Sequence, residues 1–371
     1  MGHPVEKIPE GEAEAISRIA ELTLAQLRRR YSAGPAFRRA VHAKGHACVT
    51  ARFDVLSDLP EPLRHGVFAV PGRTYPAHIR FSNADVLDRR DSTPGTDGGL
   101  PVHGSRGMAV KLTGVDGPAL ESDTPPGALT QDFLMVNQPV FAFANVEDYE
   151  VLSRVLANSP DDDARGFFSE RLPPPGTPPS TAAHFRALRT AQIVGRVRSA
   201  SLTDPRLPAF QPPPASPVDN AYFGAAPFLL GPDQVMRFRV RPVAPSLEEP
   251  DPTDENYLRS GLLRRLRDAS KGDVEFHFEV QVRGASDIDP ERDIEDASTE
   301  WAEPDFQHVA TIAIPLQEFD SDEQRAQCER LVFTPWNGLE AHRPLGGINR
   351  MRRTIYQTSA GLRNASQTPA R

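Results

Sequence analysis

Apolar positions in this chain follow two periods. Near the N-terminus Ile16, Ile19, Ala20, Leu22, Leu24 and Leu27 recur at helical spacing, which predicts a helix over residues 11–31 packed by one face. Short stretches of period two come next. ACVTARFDV (47–55), HGVFAV (65–70), AHIRFS (77–82), GMAVKL (107–112) and DFLMVN (132–137) are rich in β-branched and aromatic residues and predict strands. Two later stretches alternate cleanly. In 235–243 Met236, Phe238 and Val240 alternate with Arg237, Arg239 and Arg241, and in 274–282 Val274, Phe276, Phe278, Val280 and Val282 share one face. HVATIAI (308–314) is the eighth strand. Helical spacing returns over 146–157, 181–198, 255–269 and the C-terminal stretch. Eight half-buried strands, with helices between some of them and no regular strand–helix alternation, predict an α+β fold. Its centre is an eight-stranded antiparallel β-barrel with surrounding helices, rather than a doubly wound sheet.

Composition sharpens this picture. At 371 residues the chain allows one large domain or two ordinary ones. The division expected is an N-terminal helical arm, 1–37, and one domain, 38–371. Proline-rich stretches at 171–181 and 210–219, and the acidic stretch 248–256, read as surface connections. The net charge of −8 argues against a nucleic-acid partner. No run of about 18 apolar residues suggests a membrane span, and the charged N-terminus does not resemble a signal peptide. With only Cys48 and Cys328, a disulfide scaffold is not expected. Cys48 is expected to be buried and inert. The expected location is cytoplasmic.

Two segments carry candidate chemistry. RRAVHAKGHACVTARFDV (38–55) sets an ionisable cluster at the mouth of a strand. At the other end, in HRPLGGINRMRRTIYQTSAGLR (342–363), Arg352, Tyr356 and Arg363 fall on one helical stripe. Two guanidinium groups beside a phenol favour its ionised form, and ferric haem is a centre that takes a tyrosinate ligand. The same spacing also suits an ordinary salt-bridged surface turn. His42 and His46, four apart, could share a metal on a helix, but Gly45 and the following strand argue against one there. Phe141 and Phe143 suit either a cofactor wall or plain core.

Together the segments resemble the haem catalases. VHAKG (41–45), preceded by Arg39, is similar to that family's distal signature. IRFSNA (79–84) and RGMAVKL (106–112) are similar to its next two strands, and RRTIYQTSAGLR (352–363) to its proximal helix, all in family order. The resemblance extends from about residue 38 to 363 and points to small catalase-related peroxidases and to the allene oxide synthases. It implies a catalase-like core holding haem b (iron protoporphyrin IX). His42 would be the distal acid–base group, hydrogen-bonded by Ser82. Tyr356 would be the iron ligand with Arg352 as its charge partner. Arg39, Arg80 and Arg363 would hold the propionates, and Phe141 would contact the porphyrin.

One departure concerns the asparagine that catalases set beside the distal histidine. The resemblance locates it just before the DFLMVN strand, where this chain has Thr130 or Gln131, with Asn137 further on. Thr130 is therefore a candidate distal partner. The implied activity is haem-dependent peroxidase-like processing of hydrogen peroxide or an organic hydroperoxide, with a small-molecule reductant and residual catalase activity. The alternatives are a fatty-acid hydroperoxide isomerase or lyase, and a haem protein without turnover. A homo-oligomer stays open.

Overall fold

The computed structural model describes residues 2–31, 39–84, 90–93, 102–103, 105–120, 129–141, 143–159, 213–246 and 248–367. The predicted helix at 181–198 and the proline-rich stretch at 171–181 lie outside them.

Helix α1 spans Glu12–Arg30, with Glu12 and Glu14 in its first turn and three arginines in its last, the arrangement that complements the helix dipole. Its face packs against α2 (Val146–Asn158) and α5 (Gly346–Gln367) through Ala15, Ile19, Val146, Ile348, Met351 and Ile355. Two further helices, α3 (Tyr257–Arg267) and α4 (Asp322–Arg330), lie between later strands.

The barrel closes through eight strands, each antiparallel to its neighbours. β1 (Gly45–Val55) pairs with β2 (Thr74–Asn83). A separate small ribbon follows, β3 (Ser92–Thr93) with β4 (Val102–His103). β2 pairs with β5 (Arg106–Leu112), β5 with β6 (Gln131–Val136), and β6 with β7 (Tyr222–Phe223). β8 (Phe228–Leu229) is a short addition to β9 (Gln234–Pro242), which also pairs with β7. β10 (Val274–Gly284) joins β9 to β11 (Gln307–Ile314), and β11 returns to β1.

The number of barrel strands matches expectation, but one member differs. Residues 65–70 form no strand; a 3-10 turn, Gly66–Phe68, stands there instead. Gly66 has φ +55°, and a Cβ at that position would lie 2.2 Å from His342 Nε2. The bare glycine lets the Val67 N–H donate to His342 Nε2 at 3.0 Å, while Phe68 enters the core. β7 completes the barrel in its place.

Aromatic rings fill the interior. The Phe278 ring centroid lies 4.9 Å from that of Phe133, 5.2 Å from Phe53 and 5.6 Å from Phe238. This is a packed core, so a ligand the size of a porphyrin must sit outside it. Pleat alternation then sorts the residues: Ile79 and Phe81 of β2 point into the core, and Arg80 and Ser82 point away.

A second difference concerns the cysteines. Cys48 on β1 and Cys328 on α4, 280 positions apart, form a disulfide with a Cα–Cα separation of 5.5 Å. Cys48 is therefore a bridge partner, not an isolated thiol. Among the described residues no helix is long and apolar enough to cross a membrane.

Candidate functional site

The outward faces of β2, β5 and β6 form one wall of a cavity, and α5 with the segment 39–42 forms the other. Its empty volume is about 810 Å³, including the solvent-facing mouth. His42 and Tyr356 both line it, as do Arg39, Arg80, Ser82, Phe141, Arg352 and Arg363. Every expected site residue except Thr130 is thus brought to one space.

His42 sits in the loop before β1 with φ +57°, a left-handed conformation that a non-glycine residue rarely adopts without support from its surroundings. Three contacts supply that support. Ser82 Oγ lies 3.0 Å from His42 Nδ1, an Arg80 NH2 group donates to the His42 carbonyl at 3.0 Å, and the Ala40 N–H donates to Ser359 Oγ at 3.1 Å. Gly107 makes room for the ring: a Cβ there would lie 2.5 Å from both Cε1 and Nδ1 of His42. Burial pushes the imidazole down to about 3, helped by the charges of Arg80, Arg352 and Arg39, so it is neutral at physiological pH.

Tyr356 projects from α5 with the Arg352 guanidinium carbon 5.5 Å from its ring centre. Arg352 is buried, donates to Asn349 Oδ1 at 3.1 Å, and also lies 5.7 Å from the centre of the Phe141 ring. Phe141 stacks on Phe143 at 5.3 Å. Phe141 therefore serves both cavity wall and packing, whereas Phe143 belongs to the packing alone.

Four arginines line the cavity, and among the described residues no acidic side chain lines it. Arg80 is 3% exposed and its Nε is buried without a hydrogen-bond partner. Burial, then Arg39 and Arg363, work against its charge, and Glu329 opposes them from 3.7 Å. Burial and Arg39 likewise lower Arg363. A buried cluster of this kind calls for anions. An orphaned donor, surplus positive charge, a tyrosine under a guanidinium and an apolar wall fit a flat, dianionic, metal-bearing macrocycle.

Thr130 is not part of the site. It lies beyond the far end of β6, with Oγ1 3.3 Å from Lys111 Nζ. Val136, at the other end of that strand, pairs with Gly107 and lines the cavity, about 20 Å away at strand rise. Asn137 turns from the cavity, with Oδ1 accepting from the Arg106 N–H and Nδ2 donating to Asn220. Among the described residues no amide side chain lines the cavity; Gln131 is buried elsewhere, its Oε1 accepting from the Leu339 N–H at 3.0 Å, and Leu134 and Val136 form that part of the wall. His46 is also separate, with Nε2 2.9 Å from Asn83 Oδ1 behind the wall. Among the described residues no cluster of three or more His, Cys, Asp or Glu could hold a metal.

Two further residues contribute to the site. Ser359 lies three residues after Tyr356 on the same stripe, so helical spacing was a usable signal. Glu329 pairs with Arg39 at 2.5 Å from a polar helix that gave no periodic sign.

Comparison with solved structures gives the fold its class. The chain superposes on a fungal catalase with a TM-score of 0.63 at 15% identity, covering 92% of this chain and 62% of that one. For catalase A from Saccharomyces cerevisiae the values are 0.61, 14%, 92% and 64%, and for a bacterial catalase 0.59, 15%, 90% and 59%. The fold is catalase-like, and the chain spans about six-tenths of the length of these catalases. No protein-family model and no curated protein matches the sequence.

Proposed function

We propose that the protein is a haem-dependent, peroxidase-like enzyme that processes hydroperoxides. The observation that carries this is the meeting of His42 and Tyr356, from opposite ends of the chain, on one arginine-rimmed cavity. Tyr356 would hold the iron as phenolate, with Arg352 beside its ring. Arg39, Arg80 and Arg363 would take the two propionates, and the unpartnered Arg80 Nε is a donor for one of them. Bound there, a ferric haem supplies a Lewis-acidic, redox-active centre for O–O cleavage.

The chain's own residues handle the proton. In the tautomer whose Nδ1–H donates to Ser82 Oγ, Nε2 of His42 carries the lone pair. Neutral at physiological pH, it accepts the proton of the hydroperoxide O–H and returns it to the departing oxygen. Leu134, Val136 and Phe141 keep water from the reacting atoms.

The same wall bears on the substrate. Dismutation benefits from a second polar group to orient a second peroxide, and an apolar wall offers none while it suits an alkyl chain. This favours organic hydroperoxides and keeps the isomerase or lyase as a second reading. A panel on haem-loaded protein separates the outcomes by following oxygen release, dye oxidation and fatty-acid hydroperoxide loss in parallel. Reductant-dependent dye oxidation with little oxygen is expected. Hydroperoxide loss without reductant would favour the isomerase, and silence in all three would refute turnover.

A further inference from the structure

Helix α4 has an unusual attachment. Cys328 is its one buried residue among the nine from Asp322 to Arg330. A helix this short is unstable alone; a Ser321/Gln324 capping box and the Arg259–Asp320 pair hold its start, at about 1 kcal/mol for the cap, and leave its C-terminal end to other contacts. Its tether is the disulfide to Cys48, the register partner of Arg80 across β1 and β2. The end so held is the end that meets the arginines. Glu329 pairs with Arg39 at 2.5 Å and approaches Arg80 at 3.7 Å. Arg39 also donates to the carbonyls of Cys328 at 3.2 Å and Leu331 at 2.8 Å. Carbonyls at a helix C-terminus are natural partners for a cation. The orientation of Arg39 thus depends on a short stretch of chain held by the disulfide on one side and, from Phe333 and Thr334 onward, by buried contacts on the other.

We propose that the Cys48–Cys328 bridge is a redox latch on the cofactor site, acting through Glu329 as a positioning residue for Arg39 and Arg80. Closed, it holds both guanidinium groups where propionates meet them. A dithiol reductant opens it: two electrons and two protons pass to the cysteine sulfurs, giving two thiols, and the dithiol becomes a disulfide. A hydroperoxide closes it. The first thiolate takes the outer oxygen as a sulfenic acid with release of alcohol, and the second thiol displaces water to form the bridge. Cys48 is only partly buried, so reagents can reach the bridge. The substrate class would then secure the cofactor that consumes it.

This inference rests on the haem assignment above, and its test separates the two. Haem transfer from loaded protein to an excess of apomyoglobin is timed for disulfide-bonded and dithiol-reduced wild type, and for the Cys48→Ser/Cys328→Ser and Glu329→Gln variants. Amide hydrogen exchange over residues 322–331 is read in parallel on haem-free protein. Reduction is expected to speed haem loss about tenfold, the scale of one charge-assisted hydrogen bond, and to deprotect 322–331. The double serine variant should lose haem at the reduced rate whether or not dithiol is present. Glu329→Gln should shrink the ratio between redox states to below about threefold while the bridged helix stays protected, which a merely structural role would not do. Equal haem loss from oxidised and reduced wild type would overturn the latch and leave the haem assignment standing. So would two free thiols persisting after hydroperoxide treatment. Failure to bind haem in either state would overturn both.

Discussion

A single methyl group at Gly107 tests the distal geometry. Gly107 sits on β5 opposite Ser82 and Val136, and its missing side chain points at His42. In Gly107→Ala the new Cβ would lie 2.5 Å from two imidazole atoms and 3.0 Å from Ser82 Oγ, where ordinary contact begins at 3.4 Å. The imidazole must therefore retreat by about 0.9 Å. That is enough to stretch its 3.0 Å contact with Ser82 beyond hydrogen-bond reach. Displacing a catalytic group by about 1 Å costs on the order of a hundredfold in rate. Overpacking costs about 1–3 kcal/mol of stability, which a fold of this size tolerates. The assay is stopped-flow reaction of haem-loaded variant with an organic hydroperoxide, with haem stoichiometry and thermal midpoint as controls. A fall of about a hundredfold with haem content unchanged is expected. A variant within threefold of wild type would refute the placement of His42 against β5.

Other expectations rest on the same geometry. His42→Ala should keep its haem and lose about two or more powers of ten in peroxide reactivity, measured by the same stopped-flow assay. Phe278→Ala, at the centre of the aromatic core, should lose about 3–5 kcal/mol in urea unfolding. Stability should also fall in acid. Burial pushes His42 and His46 down to about 3 and His342 to about 4, so all three stay neutral when folded and take up protons only on unfolding below about pH 6.5. Their contribution is complete above that pH and shrinks as pH drops towards 4, by about 1.4 kcal/mol per histidine per pH unit. Urea titrations at pH 7, 6 and 5 that give one common stability would contradict it.

Much of the architecture was legible because the barrel strands are half-buried and their period of two sorts inward from outward residues. Arg80 and Ser82 could be placed on the outer face of β2 from that alternation alone. Thr130 was proposed because the resemblance set the distal partner before the DFLMVN strand, whereas the cavity meets that strand at its far end, at Val136, which neither the resemblance nor alternation named. β7 has two residues, too few to show a period. HGVFAV has strand composition, but a left-handed glycine and a buried histidine partner turn it into a plug. The Cys48–Cys328 pair is joined only by tertiary packing across 280 positions, and α4 has no apolar stripe to announce it.

The central claim is that one porphyrin lies between His42 and Tyr356, and a haem titration addresses it most directly. Wild-type protein titrated with ferric haem should saturate at one equivalent per chain with the absorption of a phenolate-ligated ferric centre. Tyr356→Phe, still folded by circular dichroism, should lose that signature or the haem itself. A variant whose stoichiometry and spectrum match wild type would contradict the claim.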